Sequence, residues 1–145
     1  MTLAEYLASE QAREDVRLVV AKPHDVLRYS GNGGPWLERT TLKAWTRLGI
    51  EGADQYITAY YRPDGDRYVV TDMGEGVRAL RLRTGCSQYL AMERSDPMRE
   101  ALRTSGIGNV WSTERGIMEL DNITDVDLPD AICRVMLASL RVAQS

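Results

Sequence analysis

A chain of 145 residues, 43% hydrophobic and 27% charged, has the length and composition of one globular domain with a real core. Its formal net charge of −3 argues against strong nonspecific attraction to nucleic acid or anionic membrane, while leaving room for a local basic patch. No apolar run is long enough to span a bilayer, and MTLAEYLASEQARED lacks the basic flank and apolar stretch of a signal peptide, so a cytoplasmic location is expected.

Thr2 and Glu5 form a T-x-x-E capping box, with Leu3 and Leu7 opening an apolar face. The spacing predicts an N-terminal helix over 3–14, continuing or giving way to a strand at 16–21. SGNGGP makes 24–35 a flexible loop. Residues 36–50 are ambiguous: Leu37, Leu42, Trp45 and Leu48 have partial helical spacing, whereas Thr40 and Thr41 favour a strand. Tyr56 to Tyr61 carries bulky groups on both faces, as in a central strand. Pro63-Asp64-Gly65-Asp66 predicts a hairpin, with Arg67 to Thr71 as its return strand. Gly74 and Gly76 let the chain reverse, and 77–84 reads as a short helix stopped by Gly85. Asp96-Pro97 opens a helix that Gly106 ends. A second hairpin is expected at 110–120 around TERG. Asp127 caps a last helix whose stripe is Leu128, Ile132, Val135, Met136 and Leu140. These elements describe a single α+β domain over 1–145. Its small antiparallel sheet has hairpins near 55–71 and 110–120, packed with N-terminal, central and C-terminal helices.

The acids Asp64, Asp66, Asp72 and Glu75 invite a metal-site reading, since carboxylates hold Mg²⁺ or Ca²⁺. A strand of the length of 67–71 spans roughly 15–17 Å, so the hairpin tip and its far end do not share an ion. Aspartate and glycine are also what turns require. Asp72 and Glu75 remain the better pair. PDGDRYVV has a superficial likeness to nucleases of the PD-(D/E)xK type, but no lysine follows Lys43. GNGGP lacks phosphate-loop spacing. His24 is the only histidine, which leaves little for a triad or a histidine-rich metal site. The two cysteines, Cys86 and Cys133, lack CxxC spacing, and Cys133 fits the amphipathic pattern of the last helix as a small buried residue. Arg78 and Arg81 lie close together on a helix, with Arg83 turned elsewhere; they suit phosphate, or more simply a solvated helix side. Tyr56, Tyr60, Tyr61 and Tyr68 are sheet packing or, where exposed, binding anchors.

An IxxYY-like strand end, an acidic turn, and Val70-Thr71-Asp72-Met73-Gly74 before a helix form a distinctive order. With Gly106-Ile107, the 116–120 hairpin and the closing helix, this resembles an uncharacterised family of domains of unknown function with a V-T-D-x-G signature, frequent in phages, prophages and other mobile elements. The likeness covers 53–142. It implies a phage or mobile-element origin and the cytosol of a host cell; that family has no established activity to carry over.

The function expected is a small non-catalytic protein that binds and inhibits a host protein, plausibly a nucleic-acid-binding defence component, as an anti-CRISPR-like factor does. Asp64, Asp66, Asp72, Glu75, Tyr60, Tyr61, Asp121 and Asp125 are the candidate partner-binding residues, with electrostatics steering the encounter. One alternative is a nucleic-acid-binding module using Arg78, Arg81, Arg83 and Arg94. Another is a metal-dependent enzyme on Asp72 and Glu75. No cofactor, resident metal or membrane partner is expected, and self-association stays open.

Overall fold

A computed structural model describes residues 2–21, 26–27, 36–39, 59–76, 78–79, 111–112 and 117–143. The helix expected at 96–106, the segment 40–50, and Arg81, Arg83, Arg94, Cys86 and His24 lie outside them.

The N-terminal helix is two helices. α1 (Leu3–Leu7) starts where the Thr2 hydroxyl accepts the Glu5 N–H at 3.1 Å, as the capping box predicts. α2 (Glu10–Val20) then carries helix through 16–20, where a strand was the other option. The single helix expected over 3–14 is broken at Ser9. Its hydroxyl donates to the Tyr6 carbonyl at 2.6 Å and accepts the Ala12 N–H at 3.3 Å, closing one helix and capping the next.

Six antiparallel strands follow: β1 (Val26–Leu27), β2 (Trp36–Arg39), β3 (Ala59–Asp64), β4 (Arg67–Thr71), β5 (Trp111–Ser112) and β6 (Met118–Ile123). Their spatial order is β1-β2-β3-β4-β6-β5. Val26 and Leu27 pair with Leu37 and Trp36, so part of the expected loop is strand, and the ambiguous segment opens as strand. β3 is interior, as its two bulky faces require. The β3–β4 hairpin closes over Gly65 and Asp66 with Asp64 opposite Arg67, and the φ of +64° at Gly65 suits a tight turn with glycine at its first central position. The 110–120 hairpin forms as β5 and β6.

Tyr68 faces Ile123 while Val70 faces Leu120, so β6 spends one extra residue against β4. Asn122, at φ +55°, lies within this bulge. One sheet face presents Ala59, Tyr61, Tyr68, Val70, Leu120 and Ile123 to the core.

The last helix, α3 (Leu128–Ala143), is the centre of the molecule. It packs on β3, β4 and β6 with one side and on α1 and α2 with another. The predicted stripe is buried, but so are Ala131, Cys133, Leu137, Ala138, Ser139 and Val142. A helix apolar around most of its girth belongs between two layers. The layers are thus sheet, α3, and the α1–α2 pair, an α+β arrangement. Arg13 of α2 reaches Asp130 of α3 at 2.5 Å, and Arg134 takes the other carboxylate oxygen at 2.7 Å. No helix of the described residues is long and apolar enough to cross a membrane.

Candidate functional site

The acids fall at the two ends of β4, as strand length requires, and the ends are built differently. At the C-terminal end, Thr71 is followed by Asp72, which is fully buried. Its Oδ1 accepts the Gly74 N–H at 2.8 Å and the Met118 N–H at 3.0 Å. Its Oδ2 accepts the Gly76 N–H at 3.1 Å and the Ser139 hydroxyl at 3.1 Å. One carboxylate therefore ties together the turn after β4, the start of β6, and α3.

The neighbouring residues make that turn possible. The Thr71 hydroxyl donates to the Met118 carbonyl at 2.8 Å and accepts the Met73 N–H at 3.1 Å. Met73 and Gly74 both take left-handed backbone, φ +53° and +77°, aiming successive N–H groups inward. A helical turn begins at Glu75, closed by Arg78 N–H to the Gly74 carbonyl at 2.9 Å. Gly76 lies flat on α3: a Cβ there would stand 2.9 Å from the Ser139 carbonyl oxygen. The V-T-D-x-G-x-G run thus supplies core, latch, hub, reversal and close approach in order.

Burial pushes the Asp72 carboxyl above the ordinary range, and the Gly74, Met118 and Gly76 N–H groups and Ser139 pull it partly back. Glu119 on β6 is also raised by burial; Arg62 opposes this, while Asp121 and Asp72 add to it.

Two expectations are corrected here. Asp72 is not a partner-binding residue, because no part of it reaches solvent, and with two donors on each oxygen it is not presented as a metal ligand. Tyr61 is a core residue, its ring edge-on to Tyr68 with centroids 5.6 Å apart. Glu75 and Tyr60 bind each other, hydroxyl to carboxylate at 2.9 Å, and Arg78 approaches the same carboxylate at 3.4 Å. Among the described residues no three His, Cys, Asp or Glu side chains gather in a way that could hold a metal.

At the other end of β4, carboxylates face water. Asp64 and Asp66 are exposed at the hairpin tip, and the Asp66 side chain retains 94% of its accessible surface. The pairing of Tyr68 with Ile123 brings the turn after β6 beside this tip, and the Asp125 carboxylate is near enough to the Tyr68 phenol to add to the upward push that burial gives it. Two acidic runs far apart in sequence therefore meet. Asp125 and Asp127 are exposed there with Val126, which is 88% exposed, between them, and Asp121 is exposed on β6 just before that turn. Asp127 bounds α3 through its carbonyl, which accepts the Ala131 N–H at 2.9 Å, while its carboxylate accepts from the Thr124 hydroxyl at 2.9 Å.

Cys133 is buried in α3 as its pattern predicts, and burial, opposed by Arg13 and helped by Asp130 and Asp15, pushes its thiol up to about 12. It is a packed residue and not a nucleophile.

Sequence reasoning did not find Ser139, Gly76 or the Met118 N–H as partners of Asp72. Only the register of β4 on β6 and the crossing of the turn over α3 bring them together. No protein-family model matches the chain, and searches of curated proteins and of solved structures return no match.

Proposed function

We propose that this protein is a non-catalytic interaction protein of a phage or mobile element that binds and inhibits a host defence component bearing a basic, nucleic-acid-binding surface. The observation that carries the reading is the meeting of two acidic runs at one end of the sheet, Asp64 and Asp66 with Asp121, Asp125 and Asp127. Such an end attracts a cationic partner over a distance and holds it once docked. Val126, exposed among the carboxylates, adds apolar contact area of the kind that interface centres use. The resemblance to a mobile-element family supports the origin and, through it, the choice of a host target. Arg78 does not favour the nucleic-acid reading, because its guanidinium already lies against Glu75.

The test is capture from host lysate at low salt, wild type beside a variant carrying Asp64→Asn, Asp66→Asn and Asp125→Asn. The wild type is expected to retain a basic protein that the folded variant releases, and retention is expected to weaken as salt rises. Recovery of no protein by the wild type, or equal recovery by both, overturns the reading.

A further inference from the structure

Asp72 is an unusual place to keep a charge. It is fully buried, and each of its four hydrogen-bond donors is electrically neutral. Buried carboxylates ordinarily sit beside a cation. Among the described residues, the charged side chains around it are Glu119 on β6, with Arg62 of β3 and Asp121 acting on Glu119, and Glu75 in the turn, engaged by Tyr60 and Arg78. From α3 the contact is the Ser139 hydroxyl.

The four donors are not equivalent. Three are backbone N–H groups, which only donate. The fourth is a hydroxyl, which donates or accepts as needed, and it sits on Oδ2. A proton arriving at Oδ1 would confront two obligate donors, Gly74 and Met118. A proton at Oδ2 has an acceptor 3.1 Å away.

We propose that Asp72 and Ser139 form a proton-accepting clasp: in acid the buried carboxyl takes a solvent proton on Oδ2 and donates it to Ser139 Oγ, so that the turn stays fastened to α3 in both charge states. The Ser139 O–H then turns to the helix carbonyl one turn back, an acceptor open to any serine within a helix. No bond other than the O–H on Oδ2 forms, and the proton comes from water.

The sign follows from linkage. A carboxyl raised in the folded state binds its proton more tightly there than in the unfolded chain. Its contribution to stability is full below the ordinary aspartate range, about 3.9. That contribution is lost as pH rises through the folded value. Acid therefore relieves the cost of burying this charge, the reverse of a salt-bridged aspartate, and the clasp keeps the turn fastened while it does so.

The test uses the full chain with ¹³C-labelled aspartate. The Asp72 carboxyl carbon is assigned through the Met73 amide, so no variant is needed for it. The expected result is titration above the ordinary aspartate range, with Gly74, Gly76 and Met118 amides still protected from exchange below the midpoint. A carboxyl that stays ionised down to or below the ordinary range overturns the proposal. So does protonation that coincides with loss of protection at Gly74 and Gly76. Ser139→Ala separates the clasp from simple packing. In the variant, which loses a donor to the ionised carboxylate, the Asp72 midpoint is expected to move further up, and Gly76 protection is expected to fall in both charge states. An unmoved midpoint, or Gly76 protection unchanged in acid, also overturns the proposal.

Discussion

β4 has an aspartate just outside each end, and the two have almost nothing in common. Asp66, before Arg67, holds its side chain in water. Asp72, after Thr71, is sealed beneath α3 with four donors on two oxygens. Both residues belong to turns that need a short polar side chain. The difference comes from what lies over each turn. α3 covers one with Ser139 at the contact, whereas the other, among the described residues, has the acidic turn after β6 and Arg67 beside it. Turn chemistry decides that an aspartate is present, and tertiary packing decides whether it is a structural hub or a surface charge.

The comparison is broken most directly by alanine. Asp72→Ala strips the acceptor from three backbone N–H groups, two buried and one partly buried, at about 1–3 kcal/mol for each buried one, so urea unfolding is expected to show a loss of several kcal/mol. Asp66→Ala is expected to stay within about 0.5 kcal/mol of wild type. If the two cost the same, the hub is not a hub.

Glycine gives the next largest contrast. Gly76→Ala pushes a Cβ against α3 backbone, 2.9 Å from Ser139 oxygen, and is expected to cost about 1–3 kcal/mol through overpacking. Gly65→Ala meets nothing within 4 Å and costs only its left-handed backbone, about 1–2 kcal/mol. The same Cβ also stands 2.9 Å from the Ser139 hydroxyl oxygen, so adding Ser139→Gly is expected to recover that part of the Gly76→Ala loss, the backbone contact remaining, and none of the Gly65→Ala loss.

The smallest effect probes the acidic end from beneath. Burial, with Asp125 adding to it, raises the Tyr68 phenol. The folded chain therefore holds that proton more tightly than the unfolded one. The Tyr68 contribution is full below the ordinary phenol range near 10 and fades as pH rises through the folded value. Tyr68→Phe is expected to cost about 0.5–1.5 kcal/mol near neutral pH by removing the phenol's interaction with Asp125. It is also expected to flatten the alkaline decline in the unfolding midpoint. A variant with the wild-type alkaline profile would detach Asp125 from the hairpin.

Much of this architecture is legible in the chain itself. Thr2, the Asp64–Asp66 turn, the 110–120 hairpin and the last helix follow from local rules, because their signals lie within a few residues. The rest depends on distant partners. The Ser9 break is an exception of scale: its hydroxyl serves two helices at once, and the capping box and the Leu3–Leu7 spacing before it mark a helix start without marking a stop. The stripe on α3 predicts one buried side, but its full burial follows from having a layer on each side, which periodicity alone does not reveal. The V-T-D-x-G run is recognisable as a turn. That its aspartate is inaccessible depends on Ser139, 67 residues away. The acidic end is hidden for the same reason, since the two runs meet only through the β4–β6 register.

The position of α3 also orders the folding of the chain. Arg13 and Asp130 are 117 residues apart, and the core on either side of α3 closes only when that last helix is in place. Before then the α1–α2 pair and the sheet each have an apolar surface and no partner for it. Topologies dominated by such distant contacts fold slowly, because loop closure must precede the contacts that reward it. Late commitment is therefore expected of this chain, with docking of α3 against the sheet and the α1–α2 pair as the step that joins the described layers into a domain.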